Sequence, residues 1–140
     1  MPANENLITK LERGRAEFAY ECVKSAINSL DEKRKKEYRS YVRRILHMIL
    51  SNGLGQTLAF VYAKKESGNA YDLIYKQFTD YLKSASTARI TMPHSQKELI
   101  EWVISLDSYQ YRYVTEELLA FLNWLKKFAE GMIEAEEVEE

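Results

Sequence analysis

Apolar residues recur along this chain at intervals of three and four, the period of one helical face. Ile8, Leu11, Ala19, Cys22, Val23, Ala26, Ile27 and Leu30 predict a first helix over residues 6–30. Asp31 then stands where an N-cap belongs. Tyr38, Tyr41, Val42, Ile45, Leu46 and Ile49 make the cleanest stripe and predict a second helix over 32–50. Asn52-Gly53 breaks it, both residues tolerating the left-handed backbone that ends helices. A third helix over 54–66, with Leu58, Val61 and Tyr62 inward, ends at Gly68-Asn69. A fourth over 70–84 buries Tyr71, Ile74, Phe78, Tyr81 and Leu82.

Residues 85–94 are small and polar and lead into Pro93, which disfavours a helix just before it, so they read as a surface loop. Ser95-Gln96-Lys97-Glu98 has the spacing of a capping box and predicts a fifth helix over 96–106. Asp107-Ser108-Tyr109-Gln110 repeats that logic for a sixth helix over 108–136, about 40 Å long at 1.5 Å per residue. Val114, Leu118, Phe121, Leu122, Leu125, Phe128, Met132 and Ile133 give it a broad apolar face. No repeat of fixed period is visible. The expected fold is all-α: a single compact domain, 1–140, of about six helices with a long C-terminal helix, frayed at 1–5 and 137–140.

Composition agrees with the pattern. Five Gly and two Pro in 140 residues are few for a turn-rich β fold, and 46% hydrophobic residues suffice for a core. The lone Cys22 can form neither an internal disulfide nor a cysteine metal cluster, which suits a reducing cytosol. The first six residues lack the basic and apolar regions of a signal peptide. No apolar run approaches the roughly 20 residues of a membrane span. The expected location is cytoplasmic.

Candidate chemistry is sparse. His47 and His94 are the only histidines, and neither sits in a metal-binding spacing. Cys22, on the apolar face of its helix, reads as a small hydrophobe rather than a reactive thiol. Asp31, Asp72, Asp80 and Asp107 read as caps or helix-surface groups, not as the clustered carboxylates of a two-metal nuclease. Gly53-Leu54-Gly55-Gln56-Thr57 resembles part of a phosphate loop. It follows a helix rather than a strand and lacks the Lys-Ser/Thr ending, so a helix–helix corner is the better reading. A single phosphate at the N–H groups of the third helix stays open. No enzyme activity, cofactor, metal or small-molecule substrate is expected.

Charge is where the sequence points to partners. The net charge is −1, yet residues 31–44 hold seven basic groups against three acids, and residues 130–140 hold six glutamates and no base. At 100° per residue, Lys36, Arg39, Arg43 and His47 fall within about 80° of one another, away from the apolar stripe. Such a basic ridge attracts a phosphate backbone without reading sequence; a solvated helix face is the plainer alternative. Arg44 belongs to the same basic run. Lys64-Lys65 and Lys126-Lys127 lie near helix ends, where they also complement the helix dipole. Tyr109, Tyr111, Arg112 and Tyr113 mix rings with a cation as single-strand binders do, although tyrosines at the start of a long helix commonly pack the core and rim. The terminal glutamates read as a solvated tail, or as a dock for a basic neighbour.

Three stretches carry a resemblance: Leu11-Glu12-Arg13-Gly14-Arg15-Ala16-Glu17-Phe18-Ala19; Ser51-Asn52-Gly53-Leu54-Gly55-Gln56-Thr57-Leu58-Ala59-Phe60, with Lys64 beyond it; and residues 113–131, from Tyr113-Val114-Thr115-Glu116-Glu117 to Phe128-Ala129-Glu130-Gly131. Together they resemble the small helical subunit of type III-B CRISPR effector complexes, the Cmr type. The resemblance implies an all-α, non-catalytic subunit that stacks in several copies and lines the groove holding guide and target RNA in antiviral defence. It places the family's basic positions on Arg13 or Arg15, on Lys64, and on Lys126 or Lys127. Lys36, Arg39, Arg43 and Arg44 are added on physical grounds. The implied partners are other Cmr subunits, further copies of the chain, and guide and target RNA. The alternative is a helical protein–protein module without nucleic-acid contact.

Overall fold

The computed structural model describes residues 6–84 and 90–135. They carry six α-helices: α1 (Leu7–Ser29), α2 (Glu32–Asn52), α3 (Leu54–Lys64), α4 (Ala70–Ser84), α5 (Leu99–Ile104) and α6 (Ser108–Met132). The expected frayed ends, residues 85–89 of the loop and the last residue of the expected sixth helix lie outside the described residues. Short polar side chains start four of the helices, and Asn69 does so for α4 by accepting from Asp72 N–H at 2.8 Å. Asn6 accepts from Thr9 N–H, Asp31 from Arg34 N–H and Asp107 from Gln110 N–H, each at 2.8 Å. Each satisfies a backbone donor that has no partner inside its helix.

Helix α6 is the spine. It lies between α1 and α2, with α4 behind them and α3 and α5 closing one end. Phe121 of α6 stacks on Tyr81 of α4 with centroids 4.1 Å apart and meets Phe18 of α1 edge-on at 5.9 Å. α2 runs antiparallel to α6: Lys36 lines a cleft with Met132 and Ile133, while Gly55, just past the far end of α2, bonds to Tyr111. The apolar stripes foreseen for α2 and α4 are buried, apart from a half-buried Tyr41. Two polar groups inside the core are matched rather than excluded. The Tyr38 hydroxyl donates to Gln77 Oε1 at 2.6 Å, and Gln77 Nε2 donates to the Cys22 carbonyl at 2.9 Å.

A third buried polar group fixes three helices at once. Glu117 of α6 is only 6% exposed. It receives Arg15 of α1 through two N–H groups, at 2.7 and 3.2 Å, and the Tyr81 hydroxyl of α4 at 2.8 Å. Arg15 gives a further N–H to Glu12 at 2.7 Å. The Glu117 hydrogen bond raises the Arg15 pKa above its ordinary value, against the desolvation that opposes it. Burial, followed by the bond to Glu117, raises that of Tyr81.

The structure departs from expectation in several places, among them Ile8, expected on the apolar face of α1 and 73% exposed, and Lys36 and Arg39, expected opposite the core and half-buried. α3 ends at Lys64, and Tyr62, expected inward, is 44% exposed. The 85–94 segment is not wholly a surface loop: Met92 is fully buried and its N–H bonds to the Leu82 carbonyl at 3.0 Å. The capping box is not formed, and α5 begins at Leu99 with no side-chain bond from its own cap residue. Glu98 is drawn instead to the Tyr75 hydroxyl of α4, which donates to it and accepts from Ile100 N–H at 3.0 Å. A distant tyrosine thus does the work expected of Ser95. Finally, α6 ends at Met132, and the chain turns extended so that Ile133 enters the core.

Gly53 makes the corner between α2 and α3 at φ +88°, ψ 164°, a region essentially closed to residues with a Cβ. Gly53→Ala should lower stability by about 1–3 kcal/mol, read as a lower urea midpoint with an unchanged m-value. Glu117→Gln leaves Arg15 partly buried without its main counter-charge. It should cost about 3 kcal/mol, toward the low end for a broken buried pair because Glu12 remains; thermal unfolding with and without Arg15→Met measures the coupling. If the pair holds the helices together, the double variant will be no less stable than Glu117→Gln alone.

Candidate nucleic-acid interface

The candidate cations divide into those committed inside the fold and those left facing out. Arg15 is committed: its guanidinium faces Glu117 and Glu12, so the structure gives it a packing task in place of the phosphate contact expected of it. Nothing in the helical spacing marks its partner except phase. Val114, Glu117, Leu118 and Phe121 share the inner face of α6, and a glutamate there needs a buried cation. Arg13, two residues earlier, is exposed.

Lys36, Arg39 and Arg43 lie along one flank of α2, spaced three and four apart. Lys36 and Arg39 are half-buried, and Arg43 and His47 are exposed. Among the described residues, the ion pairs use none of these three cations. Arg39 Nε is covered and meets no acceptor there. The side chain is therefore held along the helix surface by packing rather than by a counter-charge.

The antiparallel register places the middle of α6 beside this flank. Trp124 bonds to Glu12 of α1 at 2.9 Å, so Lys126, about 160° further round α6, is on the α2 side, level with the turn from Arg39 to Arg43. It stands 4.0 Å from Glu130, a loose contact. By helical phase and this antiparallel register, Lys126 falls on the α2 side of α6, the side on which Lys36, Arg39 and Arg43 lie.

Arg44 and Lys64 form a separate group on the other flank of α2. Tyr41 and Tyr71 stack at 4.1 Å, and Phe60 meets Tyr71 edge-on at 5.8 Å. Arg44 lies over the Tyr41 ring and donates to the Tyr71 hydroxyl at 3.3 Å, and Lys64 lies over Phe60. Burial, then the bond to Glu37, pushes the Tyr41 hydroxyl up to about 12. Lys127 lies over the Trp124 ring on the outer side of α6.

The glycine corner has its donor occupied. Gly55 N–H donates to the Tyr111 hydroxyl at 2.7 Å, and the Thr57 hydroxyl donates to the Gly53 carbonyl at 2.8 Å. Tyr111 therefore closes the N-terminus of α3, leaving Tyr109 as the exposed ring of that tyrosine cluster. Burial pushes the Cys22 thiol up to about 12, so it is protonated at neutral pH. Among the described residues, no three His, Cys, Asp or Glu side chains converge as a metal site. No helix among them is long and apolar enough to cross a membrane.

Residues 11–132 match the family model described as CRISPR-associated protein (Cas_Cmr5). The chain is 30% identical over 120 residues to the CRISPR system Cmr subunit Cmr5 of Thermus thermophilus, covering 85% of this chain and 92% of that protein. Its fold is similar to the crystal structure of a CRISPR-associated Cmr5 family protein from Thermus thermophilus, with TM-score 0.69 and 29% identity over 88% of this chain and 97% of the other. A family match across most of the described helices, a relative of nearly the same length and a shared all-α architecture agree: the chain belongs to the Cmr5 family, the small helical subunits of type III-B CRISPR (Cmr) complexes.

Proposed function

We propose that this protein is a non-catalytic structural subunit of a Cmr complex. In this reading its copies stack along the complex and touch the backbone of guide and target RNA through fixed cations. The observation that carries the reading is the α2 flank of Lys36, Arg39 and Arg43, unpaired among the described residues and extended across the helix boundary by Lys126. Phosphates recognised by such a row are read without regard to sequence, as suits a subunit that serves every guide. Arg13, Arg44, Lys64 and Lys127 add positive charge at other faces, which neighbouring turns of an RNA path or other subunits would meet. The net charge of −1 makes the isolated subunit a weak binder. Several copies on one RNA raise the effective affinity through linkage.

Exposed apolar residues favour protein neighbours at one end. Ile104 and Tyr109 flank the α5–α6 corner, and Leu50 precedes Gly53, all three 65–72% exposed. A purely protein-binding role is the second reading, with the basic flank facing an acidic surface such as residues 130–140 of another copy.

The test is the double variant Arg39→Glu, Arg43→Glu in the assembled complex. Target-RNA affinity should fall, and the slope of log K against log salt should lessen by about 2 for two lost phosphate contacts, with the subunit still folded by circular dichroism. An unchanged affinity and slope would reject the backbone contact. Association with Cmr subunits that survives ribonuclease, together with that unchanged slope, would establish the protein-only role.

A further inference from the structure

On the side of α6 turned away from the proposed backbone flank, Trp124 forms one wall of an open groove of about 430 Å³ between α1 and α6, lined also by Glu12, Ala120, Asn123 and Lys127. We propose that this groove binds an unpaired nucleobase bearing an exocyclic amine, stacked on Trp124. The inference deepens the RNA reading above and rests on it for the source of the base.

Four features point to a base rather than to an apolar side chain. The indole is half-buried and fixed: its N–H donates to Glu12 Oε2 at 2.9 Å, and Phe128 stacks behind it at 5.9 Å and 24°. A ring so held loses little freedom when a second flat ring lies on it, and stacking on an aromatic platform suits any base. The exposed Lys127 lies over this face, its ammonium 5.9 Å from the ring centroid. An arriving base displaces that ammonium, which is then free for the attached phosphate.

The rest of the lining is polar, which suits a base edge and not a leucine or phenylalanine. Asn123 is exposed, and Glu12 keeps unused lone pairs on the carboxylate that Trp124 and Arg15 engage. The Trp124 bond, with Arg15 beside it, also holds Glu12 below the usual carboxylate range. An ionised carboxylate accepts only, so it favours the amine of cytosine, adenine or guanine. Uracil offers it one N–H flanked by two carbonyls, which repel it.

Position connects the groove to the backbone flank. Around α6, at 100° per residue, Lys126, Asn123, Lys127 and Trp124 follow one another over about 160°. A single strand leaving the α2 side at Lys126 crosses the outer face of α6 and reaches the groove.

Trp124 provides its own reporter, because Trp102, the other tryptophan, is buried. The full chain, excited at a wavelength selective for tryptophan, is titrated with cytidine 5′-monophosphate, uridine 5′-monophosphate and inorganic phosphate. The expected result is saturable quenching by the cytidine nucleotide, binding of the uridine nucleotide about three- to tenfold weaker for the lost hydrogen bond, and no quenching by phosphate. Asn123→Ala, an exposed change that leaves the fold intact by circular dichroism, should weaken the cytidine nucleotide by a similar factor, and Trp124→Phe should abolish the signal. Equal quenching by the two nucleotides would overturn the proposal, as would none at all from folded protein. Emission that responds to protein concentration and not to nucleotide would make the groove a protein contact and overturn it too. The Arg39→Glu, Arg43→Glu variant separates the two readings: loss of the backbone flank leaves mononucleotide quenching in place, and failure of the groove leaves salt-dependent RNA capture in place.

Discussion

A carboxylate inside a helical core costs several kcal/mol unless its charge is met. Glu117 is met from two sides, by the Arg15 fork of α1 and by the Tyr81 hydroxyl of α4. Each donor is directional, so the three helices cannot slide or rotate against one another without losing a bond in a setting where no water replaces it. Apolar packing alone tolerates small shifts of register. Here the Phe18, Tyr81 and Phe121 rings gather around the same point, so the aromatic core and the ion pair enforce one arrangement.

That arrangement decides which cations face outward. Arg15 is turned in, and α6 is held so that its two lysines at 126 and 127 fall on different sides. The α2 flank then acquires a lysine from a neighbouring helix, and the opposite side of α6 acquires an aromatic groove with a lysine at its edge. Both surfaces hang on one buried carboxylate that touches neither. Their chemistry is complementary: fixed positive charge attracts the polyanion, while a ring and acceptor atoms meet whatever base is unpaired.

Much of the helical frame was legible because helix signals are local. The stripes of α2 and α4, the caps Asp31 and Asp107, and the break at Gly53 depend on residues within a turn or two of each other. What escaped prediction depends on contacts across the chain. Tyr75 outcompetes Ser95 for the start of α5, because a hydroxyl delivered by a packed helix is already in place. Met92 enters the core, with Ile90 partly buried beside it, from a stretch that is otherwise small and polar. Helical phase put Lys36, Arg39 and Arg43 on one side of α2, but did not show that Lys36 and Arg39 would be half-buried there rather than facing away from the core. The burial of Arg15 and the side of the bundle on which Lys126 falls needed the relative placement of helices, which spacing within one helix does not contain. Lys126 and Lys127 are adjacent in sequence and read as one pair; folded, they serve different faces.

The hydroxyl of Tyr75 carries a consequence for the order in which the chain assembles. α5 is six residues long, far below the roughly 12–15 at which an isolated helix persists in water. Its first turn is closed by a side chain 25 positions earlier. It therefore has no stable existence until α4 has formed and docked, and its amides should be among the first to exchange with solvent when the domain breathes. Helix α5 is a late-closing clasp, its geometry inherited from helices that are already in place.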